Sequence, residues 1–311
     1  MFIFSLLLFY IMILLETNGV EYMLVLFTDT DCDITPDIAN YYGYKLISMP
    51  YTIDDNEIYP YVDFEEFNVK EYYDLLRNGK IPTTSALSPL KYIEYFEPYL
   101  KEGNDILYIH FSKAMSGTFN SLNLAMVELK EKYPNCNIHM IDTKAITALS
   151  YLIITEIGKL YKQGKTLEEI LEWSKTEIDK YSIYFYADDL TFFKRSGRVS
   201  GFSGTMGNLL GIHPIIHIND EGKMVNISKC RGRIASLKKI VDYVSENEEN
   251  IKNYPIIIAH SDSLELAYQL EQLLKQRFCE DIKTEYVVVN PTAGAHCGPN
   301  CVGVAFHSKK R

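Results

Sequence analysis

Short apolar runs of strand length alternate with amphipathic helical patterns from residue 23 onward, at 23–28, 106–110, 138–142, 183–186, 215–218, 256–259, 285–289 and 302–306. That alternation restricts the chain to layered α/β architectures with largely parallel sheets. Between the runs, Thr166-Leu-Glu-Glu169 is a capping box that opens a helix through about Lys180, with Leu167, Ile170, Leu171, Trp173 and Ile178 as its apolar positions. A second helix spans 264–278 and carries Ala267, Leu270, Leu273, Leu274 and Phe278. A boundary falls near Lys180, where a polar helix end meets a new strand. Residues 23–180 are expected to form a doubly wound parallel-sheet domain. Residues 181–311 are expected to form a mixed α/β sandwich, with the glycine-rich stretch 201–211 as a helical segment inside it.

The stretch 105–133 says most about function. Asp105-Ile-Leu-Tyr-Ile-His110 is a buried-strand pattern, Phe111-Ser-Lys-Ala-Met115 a loop, and Ser116-Gly117-Thr118 the start of a helix whose Phe119, Leu122, Met126, Leu129 and Tyr133 share a face. A strand, a loop, two hydroxyls and a helix N-terminus make an anion site. A glycine in the first turn costs helix propensity and permits close approach to the backbone.

The net charge of −10 (31 Lys and Arg against 41 Asp and Glu) excludes a general nucleic-acid binder. Six cysteines without a CxxC pair predict free thiols and a cytoplasmic protein. Cys297, Cys301 and His296 lack a fourth ligand for zinc, so no metal is expected there. Residues 2–15 are continuously apolar but short for a membrane span and without the basic flank of a secretory signal. Residues 1–22 therefore read as an N-terminal extension, from a start-site artefact or as a membrane anchor. Met23 is the natural start of an α/β domain.

Other segments carry potential chemistry. Thr28-Asp-Thr-Asp-Cys-Asp33 follows the first strand and suits either a helix cap or a metal, with the cap favoured. Pro82-Thr-Thr-Ser-Ala-Leu-Ser-Pro89 has more hydroxyls than one N-cap needs. In Ala293-Gly-Ala-His-Cys-Gly-Pro-Asn300, small residues leave the His296 imidazole accessible. His110, His139, His213, His217 and His260 lie in or beside strands and read as core or rim. Arg195 and Arg198 can clamp an anion or sit on an exposed loop. Lys223, Lys229, Arg231, Arg233, Lys238 and Lys239 form a basic concentration, either a solvated face or a dock for an acidic partner. Tyr59 to Tyr73, rich in aromatics and acids, reads as a surface loop and helix.

The order of these motifs resembles the DegV family. The matching segments are Asp29-Thr-Asp-Cys-Asp33, Thr84-Ser85, Ser116-Gly-Thr118 with Phe119-Asn-Ser121, Ile141-Asp-Thr143, Ser196-Gly-Arg-Val199, Ile212-His-Pro-Ile215 and Gly294-Ala-His-Cys-Gly-Pro299. The chain departs from the family pattern at Ala86, Ser196 and Asn300. The resemblance implies a two-domain α/β protein that holds a long-chain fatty acid as ligand, with no other cofactor. Thr84, Ser85 and Ser116 would then hydrogen-bond the carboxylate, Gly117 and Thr118 line that contact, His296 join the network and Arg198 lie near the exit. It also implies a partner, the catalytic subunit of a fatty acid kinase, which phosphorylates the bound carboxylate to an acyl-phosphate. This chain would supply no catalytic residue, and would touch membranes transiently for ligand exchange. The competing reading is a serine-dependent hydrolase using Ser116 and His296 with Asp142 or Asp29, although no Gly-x-Ser-x-Gly elbow is present. A P-loop and a Gly-x-Gly-x-x-Gly motif are likewise absent, which argues against a self-sufficient kinase.

Overall fold

The computed structural model describes residues 23–200 and 211–311. The N-terminal extension and, apart from Gly211, the glycine-rich segment inferred from sequence lie outside the described residues. The first half carries β1 (Leu24–Asp29), β2 (Tyr44–Ile47), β3 (Tyr51–Ile53), β4 (Asn56–Ile58), β5 (Thr83–Thr84), β6 (Asp105–His110) and β7 (Ile138–Asp142). The second carries β8 (Tyr181–Tyr186), β9 (Val199–Ser200), β10 (Ile212–Ile218), β11 (Met224–Arg231), β12 (Ile256–His260), β13 (Thr284–Val288) and β14 (Val302–His307).

The first sheet is four-stranded in the order β2-β1-β6-β7, and all its pairings are parallel. Near-continuous burial along β1 and β6 matches strands covered on both faces. The chain winds outward from β1 to β2 and then in the opposite direction to β6 and β7. The winding thus reverses between β1 and β6, and the crevice at their carboxyl ends is the topological switch point where such sheets bind ligands. The Thr30–Cys32 turn and the loop from Phe111 to Ser116 leave the sheet there.

The second sheet is seven-stranded and mixed, in the order β13-β12-β14-β8-β10-β11-β9. Its β12/β13 and β11/β9 pairs are parallel and the others antiparallel. A small antiparallel sheet, β4-β3-β5, holds the Thr83-Thr84 segment against Tyr51 and Thr52.

The helix Thr147–Lys162 lies between the two large sheets. It packs on β8, β12 and β14 on one side and on the Thr30–Cys32 turn on the other. Ala148 through Thr155 are all buried, as expected for a helix apolar on every face. One core therefore joins Phe27 and Leu107 to Leu149 and Ile153, and these to Ile216 and Ala305. A second core under the far face of the mixed sheet packs Tyr184, Ile215 and Val304 against Leu237, Ile240 and Leu270 from the helices Arg233–Asn247 and Leu264–Arg277.

The Thr166 capping box forms with both its reciprocal bonds. Several features differ from the sequence reading. β11 takes up Lys229 and Arg231 from the basic concentration, and β10 begins at Ile212 rather than Ile215. A bulge between Ile215 and Ile216 breaks the alternation that would have marked this pair of strands. Tyr72 and Tyr73, in the helix Val69–Arg77, are only 5% and 0% exposed. They pack between the halves, so this segment is more than a surface helix.

Several contacts fasten the halves together. Gly222, in the turn joining β10 to β11, has φ +75°, and an added Cβ would sit 2.3 Å from Ser112 Oγ. The Ser112 hydroxyl donates to the Gly222 carbonyl at 2.8 Å. The Arg311 guanidinium donates to the carbonyl oxygens of Thr143, Lys144, Ile178 and Tyr181. Burial draws its pKa down to about 10.

Candidate functional site

A cavity of about 950 Å³, counting its open mouth, extends from the switch point to the inner face of the mixed sheet. Ile183, Phe185, Ile218, Met224, Val289 and Val302 line its body. Thr84, Ser85, Ser116, Thr118, Thr292 and His296 gather at its polar side, with Asp31 and Arg198 also in the wall.

His296 belongs to the short helix Pro291–Cys297 between β13 and β14, yet residues of the first half hold that helix in place. Asn290 caps it by accepting the Ala293 N–H at 2.9 Å. Asp33 in turn accepts the Asn290 backbone N–H at 2.8 Å and its side-chain amide at 2.7 Å. Tyr72 donates to the Pro291 carbonyl, Tyr73 to the Val289 carbonyl and Thr292 to the Met49 carbonyl. Gly294 is a requirement of this packing, because a Cβ there would lie 2.7 Å from the Tyr73 hydroxyl.

The imidazole so placed has its Nε2 at 2.9 Å from Thr84 Oγ1. Burial, and then the Arg198 charge, push its pKa down to about 4, so the ring is neutral at physiological pH. Ser116 Oγ accepts the Thr118 N–H at 3.2 Å. Gly117 is the N-cap of the helix Thr118–Lys132 with an ordinary φ of −76°. Among the described residues nothing lies within 4 Å of where its Cβ would be, which leaves the space above it open to them.

The remaining candidates divide. The Thr118 hydroxyl accepts the Leu87 N–H at 3.1 Å and pairs with the Tyr92 hydroxyl at 2.9 Å, which ties the Thr84–Leu87 segment to the helix start. Ser85 donates to the exposed Glu57 carboxylate at 2.9 Å. Arg198 is exposed just after Gly197, the left-handed C-cap of the helix Leu190–Ser196, and within electrostatic reach of His296. Gly117 is not part of the cavity wall itself.

The catalytic constellation of a serine hydrolase is not assembled. Among the described residues Ser116 and His296 share no hydrogen bond, the imidazole being engaged by Thr84. Asp29 is enclosed, accepting from Tyr108, Phe111 and Asp31, and Asp142 accepts the Lys144 N–H. Among the described residues no group of three or more His, Cys, Asp or Glu side chains is placed to hold a metal, and no helix is long and apolar enough to cross a membrane. The acids after β1 are buried groups: burial raises Asp29 and Asp33 to about 7, and Asp31 well above the usual carboxylate range. Asp31, with Thr147 and Thr292, is a polar cavity residue that the sequence reading did not assign to the site. Its position after the first strand was visible, but its burial in a ligand wall was not.

Between the two large sheets of this α/β fold, an apolar cavity with hydroxyls and a neutral imidazole in its wall has the chemistry for a ligand that is largely apolar with one polar end. The chain belongs to the DegV family: the model of that family, described as an uncharacterised protein family, matches residues 23–309. It is 34% identical over 283 residues to a DegV domain-containing protein of Clostridium perfringens, covering 91% of this chain and 96% of that one. Among solved structures it is similar to a fatty acid binding DegV family protein from Streptococcus agalactiae, with a TM-score of 0.78, 27% identity and coverage of 93% and 100% of the two chains. It also shares its fold with a stearic acid-binding protein from Eubacterium ventriosum, with a TM-score of 0.80, 21% identity and coverage of 92% and 99%.

Proposed function

We propose that this protein binds a long-chain fatty acid and presents its carboxylate to the catalytic subunit of a fatty acid kinase. The observation that carries the reading is the cavity's composition. An aliphatic and aromatic body stabilises an acyl chain by about 0.8 kcal/mol per buried CH₂, and it ends at the Thr84–His296 pair and Ser116. Family relatives described as fatty-acid-binding proteins support the ligand class.

In this reading Ser116 and the Thr84–His296 pair donate to the carboxylate, the pair through the one proton its mutual hydrogen bond leaves free, and Ser85 joins them by releasing Glu57. Gly117 and Thr118 shape the backbone around the head group, and Arg198 attracts the anion from the rim. Neutral donors hold a carboxylate while leaving an oxygen able to attack a phosphoryl group, which a bidentate guanidinium would mask. The open space above Gly117 suits the approach of a partner's phosphate donor. The chemistry belongs to that partner, and this chain acts in the cytoplasm as the binding subunit, touching membranes transiently to exchange ligand. Residues 23–180 and 181–311 are its two domains in the same reading, supported by the change of sheet at Tyr181.

Lipid extraction and mass spectrometry of the purified full chain tests the proposal. A stoichiometric long-chain fatty acid, or stoichiometric uptake of added oleate, is expected. A protein that is empty and ignores both oleate and palmitate refutes it.

A further inference from the structure

Asp31 has no role in the head-group network described so far, yet it lies in the cavity wall with Thr84, Ser116, Thr118, Thr292 and His296. It is 6% exposed, and its Oδ1 has no hydrogen-bond partner among the described residues. Its neighbours on the same turn are engaged differently. Asp29 is held by Tyr108, Phe111 and the Asp31 N–H, while Asp33 accepts from Asn290 through Oδ1 and, outside the cavity wall, also keeps an Oδ2 without a partner among the described residues. A buried carboxyl oxygen without a partner is costly unless a ligand or water completes it. The titratable groups in electrostatic contact with Asp31 are Asp29, Cys32 and Asp33 on its own turn and Tyr92 from the helix Pro89–Lys101, and His296 and Arg198 line the same cavity. Tyr92 is the residue whose hydroxyl meets Thr118 Oγ1, which places Asp31 at the polar end of the cavity.

We infer that Asp31 is a ligand-binding group of this cavity and completes the head-group site by sharing one proton with the ligand's carboxylate. Two carboxyl groups in a low-dielectric site cannot both ionise, and the pair retains a single proton between facing oxygens. Burial and the adjacent Asp29 and Asp33 favour the acid form of Asp31, which makes it the donor. The ligand enters as a carboxylate, no proton is lost, and the cavity selects head groups that accept a hydrogen bond. The inference rests on the fatty-acid reading above.

The test compares the full-length wild type with Asp31→Asn and Asp31→Leu, each first checked for a native circular-dichroism spectrum, using oleate below its aggregation concentration. Wild-type affinity is expected to fall about tenfold or more as the pH is raised and Asp31 ionises beside the ligand. Asp31→Asn, whose amide donates at every pH, should bind with a flat profile over the same rise. Asp31→Leu should bind about tenfold more weakly at pH 6.5. Independently, the carboxyl carbon of [1-¹³C]oleate bound to wild type should resonate between its acid and carboxylate positions, and move to the carboxylate position in Asp31→Asn. Identical pH profiles and identical carboxyl shifts in wild type and Asp31→Asn overturn the assignment of Asp31 while leaving fatty-acid binding intact. A wild type that binds no oleate at any pH overturns both.

Discussion

Thr84 Oγ1 and His296 Nε2 meet at 2.9 Å across 212 positions of sequence. One comes from a two-residue strand of the small sheet and the other from a seven-residue helix feeding β14. The first half's own small sheet holds Thr84, and first-half residues hold the His296 helix, so the pair reports on the seating of that helix as well as on the ligand.

Thr84→Val keeps the shape and removes the hydroxyl. Oleate affinity is expected to fall about tenfold, with the fold retained, because one donor or acceptor is lost at a partly buried site. His296→Ala should weaken binding similarly. In the double variant the losses should not add, with a coupling of about 0.5–1.5 kcal/mol, since the residues share one interaction. Strict additivity in titration calorimetry would show that they act separately.

The low pKa of His296 makes stability depend on pH in a defined direction. The unfolded chain takes up this proton near pH 6.5, whereas the folded chain does so only near 4. The contribution is fully present above pH 6.5 and is lost as pH falls toward 4. Urea unfolding should therefore show wild type losing ground to His296→Gln over that interval, by up to about 1.4 kcal/mol per pH unit. Parallel pH profiles for the two proteins would contradict the buried, neutral imidazole.

Gly222→Ala tests the latch between the β10–β11 turn and the first half. The new methyl meets Ser112 Oγ at 2.3 Å and Lys144 Cα at 3.1 Å, at a backbone φ of +75°. Strain and overlap together should cost about 1–3 kcal/mol. Ser112→Gly, in the Gly222→Ala background, should recover part of the loss in thermal unfolding by removing the overlap. No recovery would mean that the dihedral alone sets the cost.

Arg311→Gln probes the guanidinium that satisfies the carbonyls of Thr143, Lys144, Ile178 and Tyr181. An amide cannot reach all four, and buried carbonyls left without donors cost about 1–3 kcal/mol each where water does not replace them. A drop of several degrees in thermal midpoint is expected, together with faster hydrogen exchange in the Lys144 loop. Arg311→Lys should not restore it, because a point charge lacks the planar fork.

Much of this was legible in the sequence where local pattern and fold agree. Asp105 to His110 reads as a buried strand because a parallel strand is apolar on both faces, and Thr166 with Glu169 fixes a helix start through two local bonds. Long-range effects were not legible. Tyr72 and Tyr73 sit among acids that suggest solvent, and only tertiary packing shows their hydroxyls bracing the His296 helix. β11 is largely polar, its exposed Lys229 and Arg231 alternating with half-buried Ser228 and Cys230, and a bulge shifts its register against β10, so no apolar alternation marks it in the sequence. At the site, Thr84, Ser116 and His296 were recognisable as polar groups in small-residue settings. Their convergence, the engagement of Thr118 by Leu87 and Tyr92, and the burial of Asp31 depend on contacts between distant segments.

The helix Thr147–Lys162 belongs to both sheets at once, since its opposite sides complete the packing of each. Pulling the halves apart would strip water-averse surface from Leu149, Ile153 and Ile157 together. That makes a clamshell motion expensive, and it couples the melting of one half to that of the other. Calorimetry should then record a single transition, and a ligand must come and go by parting surface segments around the cavity's mouth while the framework behind it stays shut.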